Sequence, residues 1–410
     1  MEIGYINFGQ KEKENLYKVL QSIRDHHAID ELGIGRIRDA FSNKMFPGMS
    51  TLHNRAKYFA VLPALYYAAE RGHYKNVGEV RQRIINLEIK LTRQLMIGSP
   101  TEEQWGITGS TMIDQAERSP SRYVKYDPTY IYWSGLITYG MVRINGNIYQ
   151  LIFERSQNAE NHPKRLLKQK EEEEYETDAD ELIGNRQLFE TSGLAYTFDG
   201  KSGINIALNE AEATYIKKKI ITSESSKDSL LAYLLKHDVP VVKDYQDLHT
   251  VWNELPETYR LTYMLSARFS RFIYLLRIFY NYLYDQKTGN PQGADAQLST
   301  YQDYANANKN DFTIEHMAEI LSYVDADVND NSVKKFCFEA MRCVESNDLK
   351  TLQSLIEERE KAMKGATRAK LNNWAKYQGK PHAEAFFLNY RWNIVYSMIN
   401  EIKKGLNNGE

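Results

Sequence analysis

The chain of 410 residues is 42% hydrophobic and 26% charged, with a formal net charge of −2. Such values suit a globular protein with room for two or three domains, and they exclude a globally basic nucleic-acid coat while leaving a local basic patch open. Cys337 and Cys343 are too few for a disulfide framework, MEIGYINFG lacks the order of a signal peptide, and no window holds 18 uninterrupted apolar residues, so the expected location is the cytoplasm.

In chain order, Glu2 to Phe8 alternates enough for a short strand, and a helix follows through Leu16, Leu20 and Ile23. The run from Asp30 to Tyr58, DELGIGRIRDAFSNKMFPGMSTLHNRAKY, is the most organised stretch. Asp30 caps a helix on Ile34, Ile37 and Phe41. Gly33 and Gly35 imply close approach by a neighbouring backbone or a ligand, since glycine is costly inside a helix. Phe46-Pro47-Gly48 is a turn, and Ser50 or Thr51 caps a second helix along Leu52, Ala56, Phe59 and Pro63. Arg36, Arg38, Arg55 and Lys57 flank the turn and form a candidate anion-facing edge. The structural alternative is that Arg38 or Arg55 pairs with Asp39 and ties the two helices together.

Val77 to Met96 reads as a long helix, and Gly106 to Glu117 as a short one. RSPSRYVKYDP is a basic loop rich in turn residues. Asp127-Pro128 then opens a helix with Ile131, Trp133, Leu136 and Ile137 facing inward, stopped by Gly140. Met141–Ile144 and Ile148–Phe153, joined through Asn145-Gly146-Asn147, read as a hairpin. Short helix, turn, longer helix and hairpin is the order of a winged helix-turn-helix, which places Arg118, Arg122, Lys125 and Arg143 in or near DNA-facing parts. The longer helix carries no basic residue, and winged helices also dock proteins, so DNA and protein partners both remain open.

ELGIGRIRDAFSNKMFPGMST with Arg55-Ala56-Lys57-Tyr58-Phe59, the block Pro128 to Gly140 with Ile131-Tyr132-Trp133 and Leu136, and Tyr390-Arg391-Trp392 with Gly405-Leu406 together resemble a bacterial family of unknown function, number 6361 in the domain-of-unknown-function series. Asn54 departs from the pattern, which has threonine before the arginine. The family's gene setting is similar to anti-phage defence clusters, beside helicase, nuclease and methyltransferase genes. The resemblance therefore implies a defence role and supplies no catalytic residues.

Arg155 to Gln187, with KRLLKQKEEEEYETDADEL, is a charged linker. The expected division is 1–100 as an N-terminal helical region, 101–156 as the winged-helix module, 157–187 as linker and 188–410 as an all-helical C-terminal domain, making the fold mainly α. Beyond the linker, helices open at Asn209 and Ser229. Pro256 to Tyr284 is a long helix in which Arg260, Arg268, Arg271 and Arg277 alternate with aromatics, an arrangement suited to single-strand stacking or a protein interface. Its structural alternative is a central buried helix with arginines reaching to solvent. Gly289 to Asn310 reads as a polar loop, followed by helices through Met317–Val324, Val333–Val344, Leu349–Met363 and Ala385–Leu406.

Gly200-Lys201-Ser202 lacks the earlier glycine of a phosphate-binding loop, Ala195 standing in its place. Asp325, Asp327 and Asn329 begin like a calcium loop that Asp330 and Phe336 do not complete. His26-His27 diverge, and no histidine pair has metal-ligand spacing. The expectation is a chain without a catalytic residue, metal or cofactor, which binds DNA or docks partners in a defence cluster. A scaffold that touches no nucleic acid and a divergent nuclease are the alternatives. The 29 tyrosines favour interfaces, unless they reflect A/T-rich codons.

Overall fold

In the computed structural model the described residues are 32–144, 146–157, 188–237 and 239–407. The expected N-terminal strand and helix, the Asp30 cap, His26-His27 and nearly all of the charged linker lie outside them. The longer helices run in the order α1 (Gly35–Met45), α2 (Lys57–Glu70), α3 (Val77–Gly98), α4 (Ile113–Arg118), α5 (Pro128–Thr138), α6 (148–157), α7 (Glu210–Thr222) and α8 (Leu230–Lys236). They continue with α9 (Glu257–Thr288), α10 (Pro291–Ala307), α11 (Ile314–Tyr323), α12 (Asn331–Glu345), α13 (Leu349–Lys364) and α14 (Trp392–Asn407). The fold is mainly α, and no helix among the described residues is long and apolar enough to cross a membrane.

The chain forms two compact units that interleave in sequence. One holds the described part of Met1–Met45 with Asp244–Tyr390, and the other that of Phe46–Lys243 with Arg391–Glu410. In the first, α9 is the core helix. Phe269, Phe272, Ile273, Leu276, Phe279 and Leu283 are buried along it, with α10 packed on its flank and α1 and α11 beside it. Phe41 of α1 meets Phe269, Tyr323 and Tyr390 at ring separations of 6.3, 6.0 and 5.9 Å. Gly33, at φ +61°, is required for a close approach, since a Cβ there would lie 2.6 Å from Met363 and 2.8 Å from Arg359. At Gly33 the close neighbours are therefore side chains of α13, not the backbone or ligand expected from the sequence.

In the second unit, α2 is the core helix, buried on nearly every side from Lys57 to Tyr66. It packs against α3, α5 and α7, and α14 lies on α7. Pro63 stands inside α2. Gly135 of α5 allows the Phe46-Pro47-Gly48 turn to approach, since a Cβ would come within 2.7 Å of the Gly48 carbonyl.

Several expectations are corrected. The hairpin and winged helix are absent, with no strand among the described residues and only one isolated antiparallel bridge, Val142 to Phe189. The second hairpin strand is instead α6. Asn147 accepts a hydrogen bond from the Tyr149 amide at 2.9 Å and caps that helix, and Ile148 and Ile152 are buried one turn apart. Capping and a helical period outweigh the Asn-Gly turn signal. The polar segment after Gly289 is the helix α10, because Asn290 caps it through the Gly293 amide and Pro291 occupies the first turn. The second helix begins at Lys57, not after Ser50. Its start is capped by the Glu401 carboxylate, which accepts the Ala56 amide at 2.7 Å. The final helix begins at Trp392, and Phe387 precedes it, stacked on Tyr274 at 4.2 Å.

Candidate nucleic-acid interface

The ten basic residues singled out from the sequence divide by their partners. Seven are spent on carboxylates. Arg36 lies 3.5 Å from Asp330, and Arg38 donates to Asp39 at 2.8 and 3.0 Å. Arg143 lies 3.3 Å from Glu190, Arg271 2.7 Å from Asp311, and Arg268 3.4 Å from Asp311 and 3.5 Å from Glu319. Arg55 and Lys57 are core residues, 5% and 3% exposed. The Arg55 guanidinium meets Glu401 at 2.6 Å, donates to the carbonyls of Glu103 and Trp105, and lies 4.5 Å over the Trp105 ring.

Lys57 meets Glu212 at 2.6 Å. The same carboxylate accepts from Tyr196 at 2.6 Å and from the Asn209 amide at 2.9 Å, so this buried pair clamps α2 to the capped start of α7. Burial lowers the Lys57 pKa against the opposing pull of Glu212. The anion-facing edge expected around the Phe46-Pro47-Gly48 turn therefore dissolves into structural pairs, with partners other than Asp39 for Arg55. The arginines of α9 likewise belong to a central buried helix, Arg268 and Arg271 being tied down by acidic neighbours.

The remaining three, Arg118, Arg122 and Lys125, are exposed, and no carboxylate pairs with them among the described residues. They share one basic segment without an acidic residue, RSPSRYVKY. Tyr123 anchors it. This tyrosine packs against the buried cluster of Ile89, Ile113 and Ala116, and its hydroxyl meets Thr92 Oγ1 at 3.1 Å. Gly109, at φ +83°, makes room for that ring, which a Cβ would approach to 2.6 Å. Burial raises the Tyr123 pKa well above the usual phenol range, so the anchor stays neutral.

Beyond Tyr123 the chain turns outward. Lys125 lies 5.2 Å over the Tyr126 ring. Asp127 accepts the Tyr130 amide at 2.7 Å and starts α5, which sets Tyr126 and Tyr130 with ring centres 5.0 Å apart. These rings are 45% and 61% exposed, Tyr130 being the most exposed large hydrophobic side chain of the described residues. Sequence reading did not single them out. The available signal is position, since both flank the Asp127-Pro128 cap, where side chains sit outside the helix contact face.

The arrangement thus offers three cations and two adjacent aromatic faces on one anchored strip. Cations of this kind meet phosphates, and exposed rings stack on unpaired bases. The strip does not present α5 to a DNA groove. Thr129, Ile131, Tyr132, Gly135 and Leu136 are buried, and Tyr132 stacks on His53 at 4.6 Å inside the unit. Among the described residues no group of three or more His, Cys, Asp or Glu side chains could hold a metal ion.

Residues 1–172 match the family of unknown function DUF6361. The DUF6361 region includes the Asp30–Tyr58 stretch, the whole basic strip and the Pro128–Gly140 block, and ends before the Tyr390-Arg391-Trp392 block. No curated protein and no solved structure matches the chain.

Proposed function

We propose that the chain is a non-catalytic component of a bacterial anti-phage defence system, acting in the cytoplasm, and that it binds single-stranded nucleic acid through residues 118–130. The observation that carries this reading is the contrast among its cations. Seven of the ten candidates meet carboxylates, while among the described residues no carboxylate pairs with Arg118, Arg122 or Lys125, which share a segment with the exposed pair Tyr126 and Tyr130. Stacking on such rings is worth about 1–3 kcal/mol per base and tolerates any sequence. Single strands fit better than duplex DNA, because the rings need unpaired bases and α5 is committed to packing. The defence setting rests on the resemblance in gene context, and helicase, nuclease or methyltransferase partners follow from the same source.

The test is binding of a labelled single-stranded oligonucleotide at low salt. The Arg122→Glu/Lys125→Glu variant should lose tenfold or more in affinity, Tyr130→Ala should lose less, and Arg36→Glu should bind like the parent chain. Unchanged binding in Arg122→Glu/Lys125→Glu overturns the placement. No binding by the parent chain transfers the strip to the second reading, a scaffold that docks an enzymatic partner on Tyr126 and Tyr130, as exposed tyrosines favour.

A further inference from the structure

From the last turn of α13 onward the chain reads KAMKGATRAKLNNWAKYQGK over residues 361–380, and no acidic residue stands between Glu360 and Glu384. This segment of the first unit is pinned from beneath. Ala369 and Leu371 are buried, and the buried Glu360 carboxylate accepts the Lys370 and Leu371 amides at 2.9 and 3.0 Å. Further bonds fold the segment on itself. Asn372 and Asn373 donate their side-chain amides to the Ala366 carbonyl at 3.0 and 2.5 Å. Three backbone turns place cations, since the amides of Arg368, Lys376 and Lys380 donate to the carbonyls of Gly365, Asn373 and Tyr377 at 3.1, 3.0 and 3.0 Å. The loop is therefore shaped before a partner arrives, which lowers the ordering cost of docking.

Two of its six lysines and arginines are engaged, Lys364 by Glu360 at 3.6 Å and Lys370 by a partner of its own. Lys361, Arg368, Lys376 and Lys380 are exposed, and no carboxylate pairs with any of them among the described residues. The same segment holds two large apolar side chains out in water, Trp374 at 41% and Met363 at 43% exposure. Trp, Met and Arg are the side chains enriched at protein interfaces, and a Trp covered on binding is a frequent energetic centre. This mixture differs from that of residues 118–130. The Tyr377 ring is half-buried and turned to Tyr284 at 6.3 Å, so Trp374 has no exposed ring beside it on which a second base would stack. One indole and one thioether among Asn372, Asn373 and Gln378 give too little apolar area to hold a membrane surface. Cations on both sides of an indole instead complement carboxylates that flank an apolar side chain.

We propose that residues 361–380 are a docking surface for an acidic segment of a partner protein, its carboxylates on Arg368, Lys376 and Lys380 and an apolar side chain against Trp374. The surface is independent of the nucleic-acid strip in the other unit. The experiment is a fluorescence-anisotropy titration of the full chain with a short labelled peptide of repeated Glu-Glu-Leu units. An all-Glu peptide of the same length tests the apolar contact, a repeated Lys-Lys-Leu peptide tests the charge, and a single-stranded oligonucleotide and phosphatidylglycerol vesicles test the other anionic surfaces. The Glu-Glu-Leu peptide should bind, the all-Glu peptide more weakly, and the Lys-Lys-Leu peptide not at all. Trp374→Ala and Arg368→Gln/Lys376→Gln/Lys380→Gln should each weaken the Glu-Glu-Leu peptide by about tenfold with an unchanged circular dichroism spectrum. Both variants should bind the oligonucleotide like the parent chain, and Arg122→Glu/Lys125→Glu should bind the peptide like the parent chain, so this surface and the strip fail separately. No binding of the Glu-Glu-Leu peptide overturns the proposal, as does undiminished binding in the two variants. A loss of oligonucleotide or vesicle binding in those variants, equal to the loss of peptide binding, also overturns it by assigning the surface to nucleic acid or lipid.

Discussion

Two buried titratable residues in the second unit respond to pH in opposite directions. His53 is 1% exposed, accepts the Ser50 amide at Nδ1 and reaches the Ile131 carbonyl through Nε2, so it is neutral with its proton on Nε2. Burial is the main cause of a pKa lowered from 6.5 to about 3, with Arg391 adding to it. The unfolded chain therefore binds a proton that the folded chain refuses between those values. Stability should fall with acidification below about pH 6.5, at about 1.4 kcal/mol per pH unit from this residue. His53→Asn should shallow the slope of urea-unfolding free energy against pH by that amount, and an unaltered slope would refute the assignment. Glu88 is fully buried, accepts both the Thr129 amide and hydroxyl through one oxygen, and is pushed well above the carboxylate range by burial and by Asp127. Its contribution is complete below the unfolded pKa near 4.5 and is lost as pH rises towards the folded value. Glu88→Gln keeps the acceptor and removes that loss. Its effect on stability should be more favourable at pH 8 than at pH 4, and an equal effect at both would contradict the assignment.

Between elements, the Lys57–Glu212 pair is the sharpest test of how the second unit is tied together. Lys57→Met leaves a buried carboxylate facing Tyr196 and a capping box without its cation, which should cost about 3–5 kcal/mol. Adding Glu212→Gln should recover part of that loss, and the two effects should be clearly non-additive in a double-mutant cycle read by urea unfolding. Additive effects would show that the pair is not coupled. Sequence reading found the elements with strong caps and long periods, as at Val77, Asp127-Pro128, Asn209 and Ser229. It failed where two local signals competed, as at Asn145-Gly146-Asn147, and where polar residues coat a helix whose few buried contacts are Ala294 and Tyr301. The site was legible only in part. RSPSRYVKY stood out as a basic loop, but a lysine or arginine does not reveal its partner from sequence. Arg55 finds Glu401 across 346 positions of chain and Lys57 finds Glu212 across 155, and only folding distinguishes those cations from Arg118, Arg122 and Lys125.

At the scale of the molecule, the two compact units interleave, whereas the sequence reading divided the chain into successive segments at 100, 156 and 187. Each unit draws on early and late segments, so α1 contributes Phe41 to the unit built on α9, and Trp392 of α14 packs on Phe46 in the unit built on α2. Composition averaged along the chain cannot disclose that exchange, and a net charge of −2 hides a strip with three cations and no acid. The measurement that bears most directly on the central proposal is the salt dependence of single-strand binding by the full chain. Three phosphate contacts predict a slope of log affinity against log salt of about −2. Arg118→Gln/Arg122→Gln/Lys125→Gln should bring that slope close to zero while the residual affinity still depends on Tyr126 and Tyr130. A parent slope near zero, or a slope of about −2 that persists in the triple variant, would contradict the account.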